Sequence, residues 1–353
     1  MITETAQKTP ITILITGGTG FLGLALVAEL LEENSPIPPK EIRVFDLNPM
    51  PNETSEMVSF IQGDVQNVEE LITACKGVDL VIHSAAIIDW GTKEESEVLS
   101  VNVGGTKNVI KACRENNIKN LIFTSSLDAV YTGKPLVNID ESQPYATSFA
   151  TSYCKSKALG EQAVLAANGP DLKTCALRPS DIYGERDPYH LPPILNMAKS
   201  GFYIRLGNGE SKCQHIYVGN MAHAHVLAAQ DLMTENPRVA GQAYFLTDGP
   251  GSNFFSFFDD IVLKSGYKIT PKNLWLPKWL AYPMASISEF GGWLISPIKK
   301  VNVKFSRFAV NYTCTDFTFN SEKAKRDFNF VPKYSVEEAI ERTAYYFEKH
   351  QAL

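Results

Sequence analysis

The sequence predicts an α/β protein: a Rossmann-type doubly wound parallel sheet followed by a smaller C-terminal cap. The first observation is an apolar, β-branched run at residues 11–16, followed at once by a glycine-rich turn and an apolar helical stretch. The second is the alternation of short apolar runs with helical patterns, which is typical of a parallel sheet covered by helices on both faces. The third is the loss of this alternation after Arg178 and Pro179.

Each predicted element follows from its local pattern. The run at 11–16 (ITILIT) predicts a strand buried on both faces, because it has no polar side to offer to water. The strands predicted after it are 41–46, 58–62, 79–83, 120–124 and 174–177, and the predicted helices are 68–75, 94–116, 153–167 and 219–232.

Composition and charge exclude several classes of protein. Of the 353 residues, 44% are hydrophobic and 20% are charged, which is usual for a globular chain and excludes wholesale disorder. Lys and Arg number 33 and Asp and Glu number 39, so the net charge is 33 − 39 = −6. A nucleic-acid binder needs a basic surplus, so we expect no nucleic-acid partner.

No pattern predicts secretion or a metal centre. Residues 1–10 are polar and lack the apolar core of a signal peptide. The six cysteines are scattered without a CxxC pair, which favours reduced thiols. No HExxH motif is present, and His223 and His225 lie two positions apart on a predicted helix, so they face different directions. We therefore expect a cytoplasmic protein without a metal.

The glycine-rich turn after the first strand predicts a dinucleotide site. Residues 16–23 (TGGTGFLG) combine a strand, a turn and the start of a helix. Glycines suit a tight turn, close approach of the backbone to a pyrophosphate, and close packing of helix on strand. The free N–H groups of the helix start can then bind phosphate oxygens. The residues predicted to contact the nucleotide here are Gly17, Thr19, Gly20, Phe21, Leu22 and Gly23.

Asp46 ends the second predicted strand and favours NAD over NADP. Its carboxylate can accept hydrogen bonds from both hydroxyls of the adenine ribose and would repel a 2′-phosphate. Residues 47–49 (LNP) offer no cation that could bind such a phosphate. Asp64 and Val65 follow the third strand, and we expect them at the edge of the adenine ring.

Tyr153 and Lys157 lie four positions apart in YCKSK, so they share one face of a predicted helix. A free phenol has a pKa of about 10. The lysine ammonium and a nicotinamide cation would both stabilise the phenolate and lower that pKa. Ser126, or Ser125 beside it, closes the fifth strand, where ligands of parallel sheets bind. These side chains predict proton transfer at a hydroxyl beside the cofactor.

Together these motifs resemble the extended short-chain dehydrogenases/reductases. Within them the chain is most similar to the 3β-hydroxysteroid dehydrogenase family, including its sterol 4α-carboxylate 3-dehydrogenase (decarboxylating) branch. Besides TGGTGFLG, Asp46, GDV, Ser126 and YCKSK, the resemblance rests on VIHSAAIID (81–89), VNVGGTKNVIKAC (101–113), LRPSDIYGERD (177–187), IYVGNMAHAHVLAA (216–229) and FTFNSEKAKRDFNFVPKYS (317–335). It covers almost the whole chain.

The resemblance implies a role for each matching residue. Tyr153 would be the catalytic acid/base, Lys157 would bind the nicotinamide ribose, and Ser126 would orient the substrate oxygen. Further cofactor-lining positions would be Ala85, Ala86 and Pro179. The implied reaction is NAD-dependent oxidation of a 3β-hydroxyl on a steroid or sterol-like substrate to the 3-ketone, with or without decarboxylation of a 4α-carboxysterol. The implied assembly is a homodimer.

The chain departs from the family pattern at the carboxylates used for isomerisation. Relatives that also isomerise a Δ5 double bond resemble each other in an adjacent carboxylate pair after the strand that matches 244–247. Here Asp248 is followed by Gly249, so the second carboxylate is missing. Asp259 and Asp260 lie further on in a helical pattern, where we expect a solvated face. Oxidation without efficient isomerisation is therefore the prediction.

Residues 274–298 hold three of the four tryptophans, about where membrane-bound relatives carry a hydrophobic anchor. Lys278, Pro283 and Glu289 interrupt this segment, so we expect no membrane-spanning helix. Two alternatives stay open: a buried cap helix, or an amphipathic element on a membrane or over an apolar substrate. In the second case the cytoplasmic protein would be peripheral on a membrane that faces the cytosol.

The prediction divides the chain into an NAD-binding Rossmann domain with the catalytic residues (1–181) and a mostly substrate-binding cap (182–353), some of whose elements return to the sheet. Two other functions stay open. One is another extended short-chain dehydrogenase, such as a flavonoid-type reductase or a nucleotide-sugar epimerase. The other is a non-catalytic NAD-binding scaffold. His190 and His215 could approach a substrate, although structural roles are more common for such histidines.

Overall fold

The computed structural model describes residues 9–51, 55–295 and 305–350, without the side chains at 293 and 295. Two sequence predictions fall partly outside this range: the lack of a signal peptide at 1–10, and the part of the tryptophan-rich segment at 296–298. Among the described helices, none has both the length and the hydropathy needed to cross a bilayer.

The described elements alternate as the sequence predicts. The strands are β1 (Ile11–Thr16), β2 (Pro39–Asp46), β3 (Val58–Gln62), β4 (Leu80–His83), β5 (Asn120–Thr124), β6 (Leu136–Ile139), β7 (Lys173–Pro179), β8 (Asp181–Tyr183), β9 (Arg205–Leu206), β10 (His215–Tyr217), β11 (Gln242–Leu246), β12 (Trp275–Leu276) and β13 (Phe317–Phe319). The helices are α1 (Phe21–Leu30), α2 (Val68–Ala74), α3 (Glu95–Leu99), α4 (Gly105–Glu115), α5 (Ser152–Ala166), α6 (Leu191–Lys199), α7 (Val218–Leu232), α8 (Phe254–Lys264), α9 (Lys278–Ile295), α10 (Arg307–Thr313), α11 (Glu322–Phe328) and α12 (Val336–Lys349).

A seven-stranded sheet forms the centre, in the order β11-β7-β5-β4-β1-β2-β3, and all its strand pairs are parallel. Ile13, Leu14 and Ile15 of β1 are fully buried, because helices cover both faces of the sheet. Helices α1 and α7 cover one face, and α2, α4 and α5 cover the other. The predicted fold class is confirmed.

The strand order reverses between β1 and β4, which places a crevice at the carboxyl ends of these two strands. The loops that follow β1 to β5 and β7 therefore meet at one edge of the sheet. Three two-stranded sheets, β10-β8, β12-β9 and β13-β6, lie outside the main sheet. The boundary at 181/182 stays a prediction: α7 and β11 lie beyond it in the chain, yet they pack on and join the main sheet.

The helix predicted at 94–116 is interrupted. A π-helical turn, Ser100–Gly104, separates α3 from α4. Within this turn the Asn102 amide donates to Ile87 O and to Ser156 Oγ at 2.9 Å each, and its oxygen accepts from Ile87 N at 2.7 Å. The sequence prediction of one continuous α-helix was therefore wrong here. The turn ties the loop after β4 to α5.

Candidate active site

One cavity of about 700 Å³ runs along the carboxyl edge of the sheet and into the region after β8. Of the residues predicted from sequence to form the site, those that line it are Gly17, Gly20, Phe21, Leu22, Gly23, Asp46, Asp64, Val65, Ala85, Ala86, Ser126, Tyr153, Lys157 and Pro179. Thr19 belongs to the same turn and contacts Asp46. The folded chain thus brings the predicted nucleotide and catalytic residues into one continuous space.

The glycine turn is shaped by close backbone contacts. Gly17 has a positive φ of 71°, and a Cβ there would lie 2.7 Å from the Ala85 backbone. A Cβ on Gly23 would collide with the Gly17 carbonyl, so only glycine lets α1 start this close to β1. Gly20 N donates to Gly17 O at 3.1 Å and closes the turn. The backbone is thereby left uncovered where α1 begins.

Asp46 is fixed beside this turn. Its carboxylate accepts from Thr19 N at 3.1 Å and from Asn48 N at 3.0 Å. Two backbone donors hold the group at the end of β2 without neutralising it by an ion pair. A nucleotide ribose in the crevice would meet a negatively charged acceptor here.

The residues after β3 are held more firmly than the sequence suggests. The Asp64 carboxylate accepts from Gln66 N at 2.9 Å and from Gln66 Nε2 at 3.2 Å. Asn108 of α4 donates to Val65 O at 3.0 Å. These hydrogen bonds fix both the Asp64 side chain and the Val65 backbone at the cavity wall.

The two serines after β5 have different partners. Ser125 donates to Glu161 Oε2 at 2.5 Å, within a buried cluster where Arg178 pairs with the same carboxylate. Ser126 donates to Asp128 Oδ2 at 2.8 Å and accepts from Asp128 N at 3.1 Å. Ser125 is thus committed to a structural ion pair, which favours Ser126 as the serine that faces a substrate.

Tyr153 and Lys157 lie in the first turns of α5, whose N-cap is Thr151. Lys157 Nζ donates to Thr124 O at 2.9 Å and lies 5.7 Å from the centre of the Tyr153 ring. Both side chains are more than nine-tenths buried. The ammonium is therefore held between the end of β5 and the tyrosine.

The electrostatics of this pair differ from the sequence expectation. Burial first, and then the charge of Asp128, raise the pKa of Tyr153 well above its usual value. Burial lowers the pKa of Lys157 to about 8, although Asp128 and Glu161 oppose that change. The protein's own groups therefore favour the neutral phenol, whereas the sequence argument counted Lys157 as lowering the tyrosine pKa.

The polar residues that line the cavity near Tyr153 and that sequence reasoning missed include Asp128, Asp181 and Tyr312. Tyr312 OH donates to Asp181 Oδ1 at 2.7 Å. Burial raises the pKa of Asp128 to about 6 and also raises the pKa of Asp181. Both acids come just after a parallel strand, β5 or β7, and that position was the signal that could have found them.

The two histidines considered as possible substrate contacts, His190 and His215, lie in different surroundings. His190 lines the cavity, with Nε2 3.9 Å from Asp181 Oδ1 and Nδ1 3.5 Å from Asp187 Oδ2. Burial opposes its charge, but the two carboxylates outweigh that and raise its pKa to about 9. His215 is instead packed against Phe257, with ring centres 4.0 Å apart. His190 is therefore a cation at the cavity wall, and His215 is a core residue.

The rest of the cavity is apolar. Its walls beyond Tyr153 include Met197, Leu206, Phe254, Phe255, Phe305 and Phe308. Five of these side chains come from α6, β9, α8 and α10, and Phe305 lies two residues before α10. They give this part of the cavity a mostly apolar surface, to which Tyr189, Tyr312 and Thr313 add a few polar groups.

The carboxylates considered for isomerisation are elsewhere. Asp248 Oδ2 accepts from Tyr217 N at 2.5 Å, and Asp259 pairs with Arg205 at 2.7 Å. Neither lines the cavity. Asp259 was expected on a solvated face; it is instead in a mostly buried ion pair.

Comparison with known proteins gives one family. The family model for the 3-beta hydroxysteroid dehydrogenase/isomerase family matches residues 14–277. A mouse (Mus musculus) sterol-4-alpha-carboxylate 3-dehydrogenase, decarboxylating, is 34% identical, covering 94% of this chain and 90% of its own. The human (Homo sapiens) 3 beta-hydroxysteroid dehydrogenase type 7 is also 34% identical, covering 96% of both chains.

Solved structures agree on the fold. The dTDP-glucose 4,6-dehydratase DesIV from Streptomyces venezuelae, with NAD and TYD bound, superimposes with a TM-score of 0.74. The two chains are 19% identical, and the match covers 97% of this chain and 98% of the other. At that identity the likeness supports the Rossmann-type architecture alone.

Proposed function

Because the chain belongs to the 3-beta hydroxysteroid dehydrogenase/isomerase family and is therefore an oxidoreductase, we propose that it oxidises the 3β-hydroxyl of a steroid or sterol-like substrate to the 3-ketone. The observation that carries the proposal is the single cavity in which Ser126, Tyr153 and Lys157 lie between the glycine turn and an apolar chamber. In this arrangement the cofactor would lie at the glycine turn, the reacting hydroxyl at the three polar residues, and the hydrophobic ring system of the substrate in the apolar chamber.

NAD is the cofactor. Gly17 and Gly20 line the cavity where α1 begins, so a pyrophosphate there could reach the free N–H groups of the helix start. Asp46, held by two backbone N–H groups, is ready to accept the ribose hydroxyls and would repel the extra phosphate of NADP. Bound NAD⁺ would supply the hydride acceptor.

In the proposed reaction, Ser126 and Tyr153 hold the substrate oxygen. Tyr153 takes the hydroxyl proton while the hydride leaves the C3 carbon, so the alcohol loses two hydrogens and becomes a ketone. Lys157 stabilises the phenolate form of Tyr153 and binds the ribose. Because the protein alone favours the neutral phenol, we infer that the charge of NAD⁺ is what brings the tyrosine pKa into the working range.

The apolar face of α9 supports a peripheral membrane contact. Trp279, Ile287 and Leu294 point to one side of the helix and are 76%, 72% and 55% exposed. The opposite side, at Ala281 and Ala285, is fully buried against residues that include Val310 of α10. This two-sided exposure favours the amphipathic alternative over a helix that is buried all round.

Exposed apolar stripes of this kind mark docking surfaces. Helix α10, which packs on α9, also contributes Phe308 and Tyr312 to the cavity. A lipid surface under α9 would thus lie beside the chamber that takes the substrate. We propose that α9 rests in the lipid interface while the rest of the protein stays in the cytoplasm.

A substrate panel tests the proposed function. Purified protein with NAD⁺ is offered 3β-hydroxysteroids, 3α-hydroxysteroid controls, flavonoids and nucleotide sugars, and products are identified by mass. Oxidation of the 3β-hydroxysteroids, with loss of two hydrogens and equimolar NADH, is expected. Turnover of only a nucleotide sugar or a flavonoid would replace the proposal with another short-chain dehydrogenase activity, and NAD binding without any turnover would favour the scaffold.

A further inference from the structure

The catalytic end of the cavity carries two carboxylates. Asp128 follows Ser126 directly after β5, and Asp181 follows Pro179 and Ser180 at the end of β7. Both line the same cavity as Tyr153. Asp128 is 8% exposed, and the Asp181 side chain is 10% exposed. A substrate atom next to the reacting carbon would therefore face acidic groups that water screens poorly.

The neighbours of these acids neutralise them only in part. Asp181 accepts from the neutral Tyr312 hydroxyl and shares His190 with Asp187, so one imidazolium lies between two carboxylates. Asp128 accepts from the neutral Ser126 hydroxyl, and the nearby Lys157 ammonium attracts its charge without a direct ion-pair contact among the described residues. Its other oxygen lies 3.5 Å from Cys154 Sγ. Three acids, Asp128, Asp181 and Asp187, face two cations, Lys157 and His190, so the protein groups at this end of the cavity carry one excess negative charge.

No described cation that lines the cavity here is free for a substrate anion. Lys157 is held by the Thr124 carbonyl beside Tyr153, and His190 is shared by two acids. A carboxylate bound here would have to share Lys157, His190 and the positive charge of bound NAD⁺ with the protein's own acids, so its desolvation would be only partly compensated.

We propose that Asp128 and Asp181 make this enzyme select steroids that are uncharged at C4 and reject 4α-carboxysteroids. The inference rests on the proposed function, which puts the C3 oxygen at Ser126 and Tyr153 and hence the C4 substituent within a few ångströms of them. The inference distinguishes simple 3β-hydroxyl oxidation from the oxidation and decarboxylation of a 4α-carboxysterol, which Ser126, Tyr153 and Lys157 alone cannot distinguish. Two unit charges about 6 Å apart at an effective dielectric constant of about 20 change affinity on the order of a hundredfold.

A pair of substrates that differ in one group tests the inference. The pair is a 4α-methyl-3β-hydroxysterol and the same sterol with a 4α-carboxylate, each oxidised by the full chain with NAD⁺ at pH 7.5. The wild-type kcat/KM is expected to favour the methyl sterol at least tenfold, mainly through KM. Equal values, or a preference for the carboxylate, would overturn the inference while leaving the proposed function intact.

Variants identify the residues responsible. Asp181→Asn and Asp128→Asn should each reduce the methyl-over-carboxylate ratio at least threefold, whatever their effect on the absolute rates. Asp140→Asn is the matched control, because it removes the same charge from an exposed residue outside the cavity and should leave the ratio unchanged. NAD binding checks that each variant is folded.

Two further outcomes are decisive. An unchanged ratio in both cavity variants would refute the role of these acids, even if the wild type prefers the methyl sterol. Turnover of neither sterol would refute the proposed function and the inference with it, which is distinguishable from a carboxylate preference because no NADH forms at all.

Discussion

The Asp128→Asn variant tests how the charge of this buried carboxylate affects folding stability, because asparagine keeps the size of the side chain and removes its charge. Burial raises the pKa of Asp128 from 3.8 to about 6, so the folded protein holds a proton that the unfolded chain has released between these pH values. A raised carboxyl pKa means that folding stability is fully present below pH 3.8 and falls as the pH rises to about 6. This increase in the pKa corresponds to a loss of about 3 kcal/mol of folding free energy between these two pH values.

Asparagine resembles the protonated acid in size and cannot ionise. The variant and the wild type should therefore be similarly stable near pH 4, and the variant should gain up to about 3 kcal/mol over the wild type by pH 7. Urea unfolding at several pH values measures this difference in the free energy of unfolding. The contributions of the other titrating groups are the same in both proteins and therefore cancel. Asp140→Asn is the control: the pKa of Asp140 is lowered, chiefly by its hydrogen bonds to Ser142, so its removal should give no such gain.

The same variant should also shift the activity profile. Asp128 is the second cause, after burial, of the raised pKa of Tyr153, so the variant should reach full oxidation rate at a lower pH. A stability difference between variant and wild type that is flat from pH 4 to 7, or that grows in favour of the wild type, would show that burial does not raise the pKa of Asp128.

Three further predictions concern cofactor, product and membrane. Wild type should bind NAD(H) at least tenfold tighter than NADP(H), about 1.4 kcal/mol, and Asp46→Ser should remove most of that preference in calorimetry; equal wild-type affinities would contradict the role of Asp46. A Δ5-3β-hydroxysteroid should leave as the Δ5-3-ketone because Asp248 is outside the cavity, so conjugated-enone absorbance should lag behind NADH, and simultaneous appearance would count against this. Trp279→Ser/Ile287→Ser/Leu294→Ser should abolish flotation with liposomes, whereas Val137→Ser/Phe202→Ser/Val331→Ser, which removes comparably exposed apolar side chains elsewhere, should not; wild type that fails to float would refute the membrane proposal.

Local sequence patterns were enough for the sheet and the glycine turn. The run at 11–16 could only be a buried strand, and Gly17 and Gly23 are required by backbone contacts that the fold type dictates. The π-helical turn at Ser100–Gly104 escaped prediction because it depends on contacts made outside this segment. Its cause is the set of hydrogen bonds that Asn102 makes to the loop after β4 and to α5, which are distant in sequence.

The missed site residues share one physical reason. Asp128, Asp181 and Tyr312 come from separate parts of the chain, and only the folded protein shows that they meet beside Tyr153. In the same way, the side of α9 that faces solvent depends on where α10 packs, which no periodicity of α9 itself can specify. Strand-end acids deserve more weight in such predictions, since both missed carboxylates follow strands of the central sheet.

Direct hydride transfer from C3 is the central claim, and an isotope measurement tests it. A 3β-hydroxysteroid carrying deuterium at C3 is incubated with NAD⁺ and wild-type protein or the Tyr153→Phe variant, and the reduced cofactor is analysed by mass. The wild type should give singly deuterated NADH in equal amount to the 3-ketone, while the variant should keep NAD binding and form neither product. Unlabelled NADH, or a variant that retains most of the wild-type rate, would contradict the account.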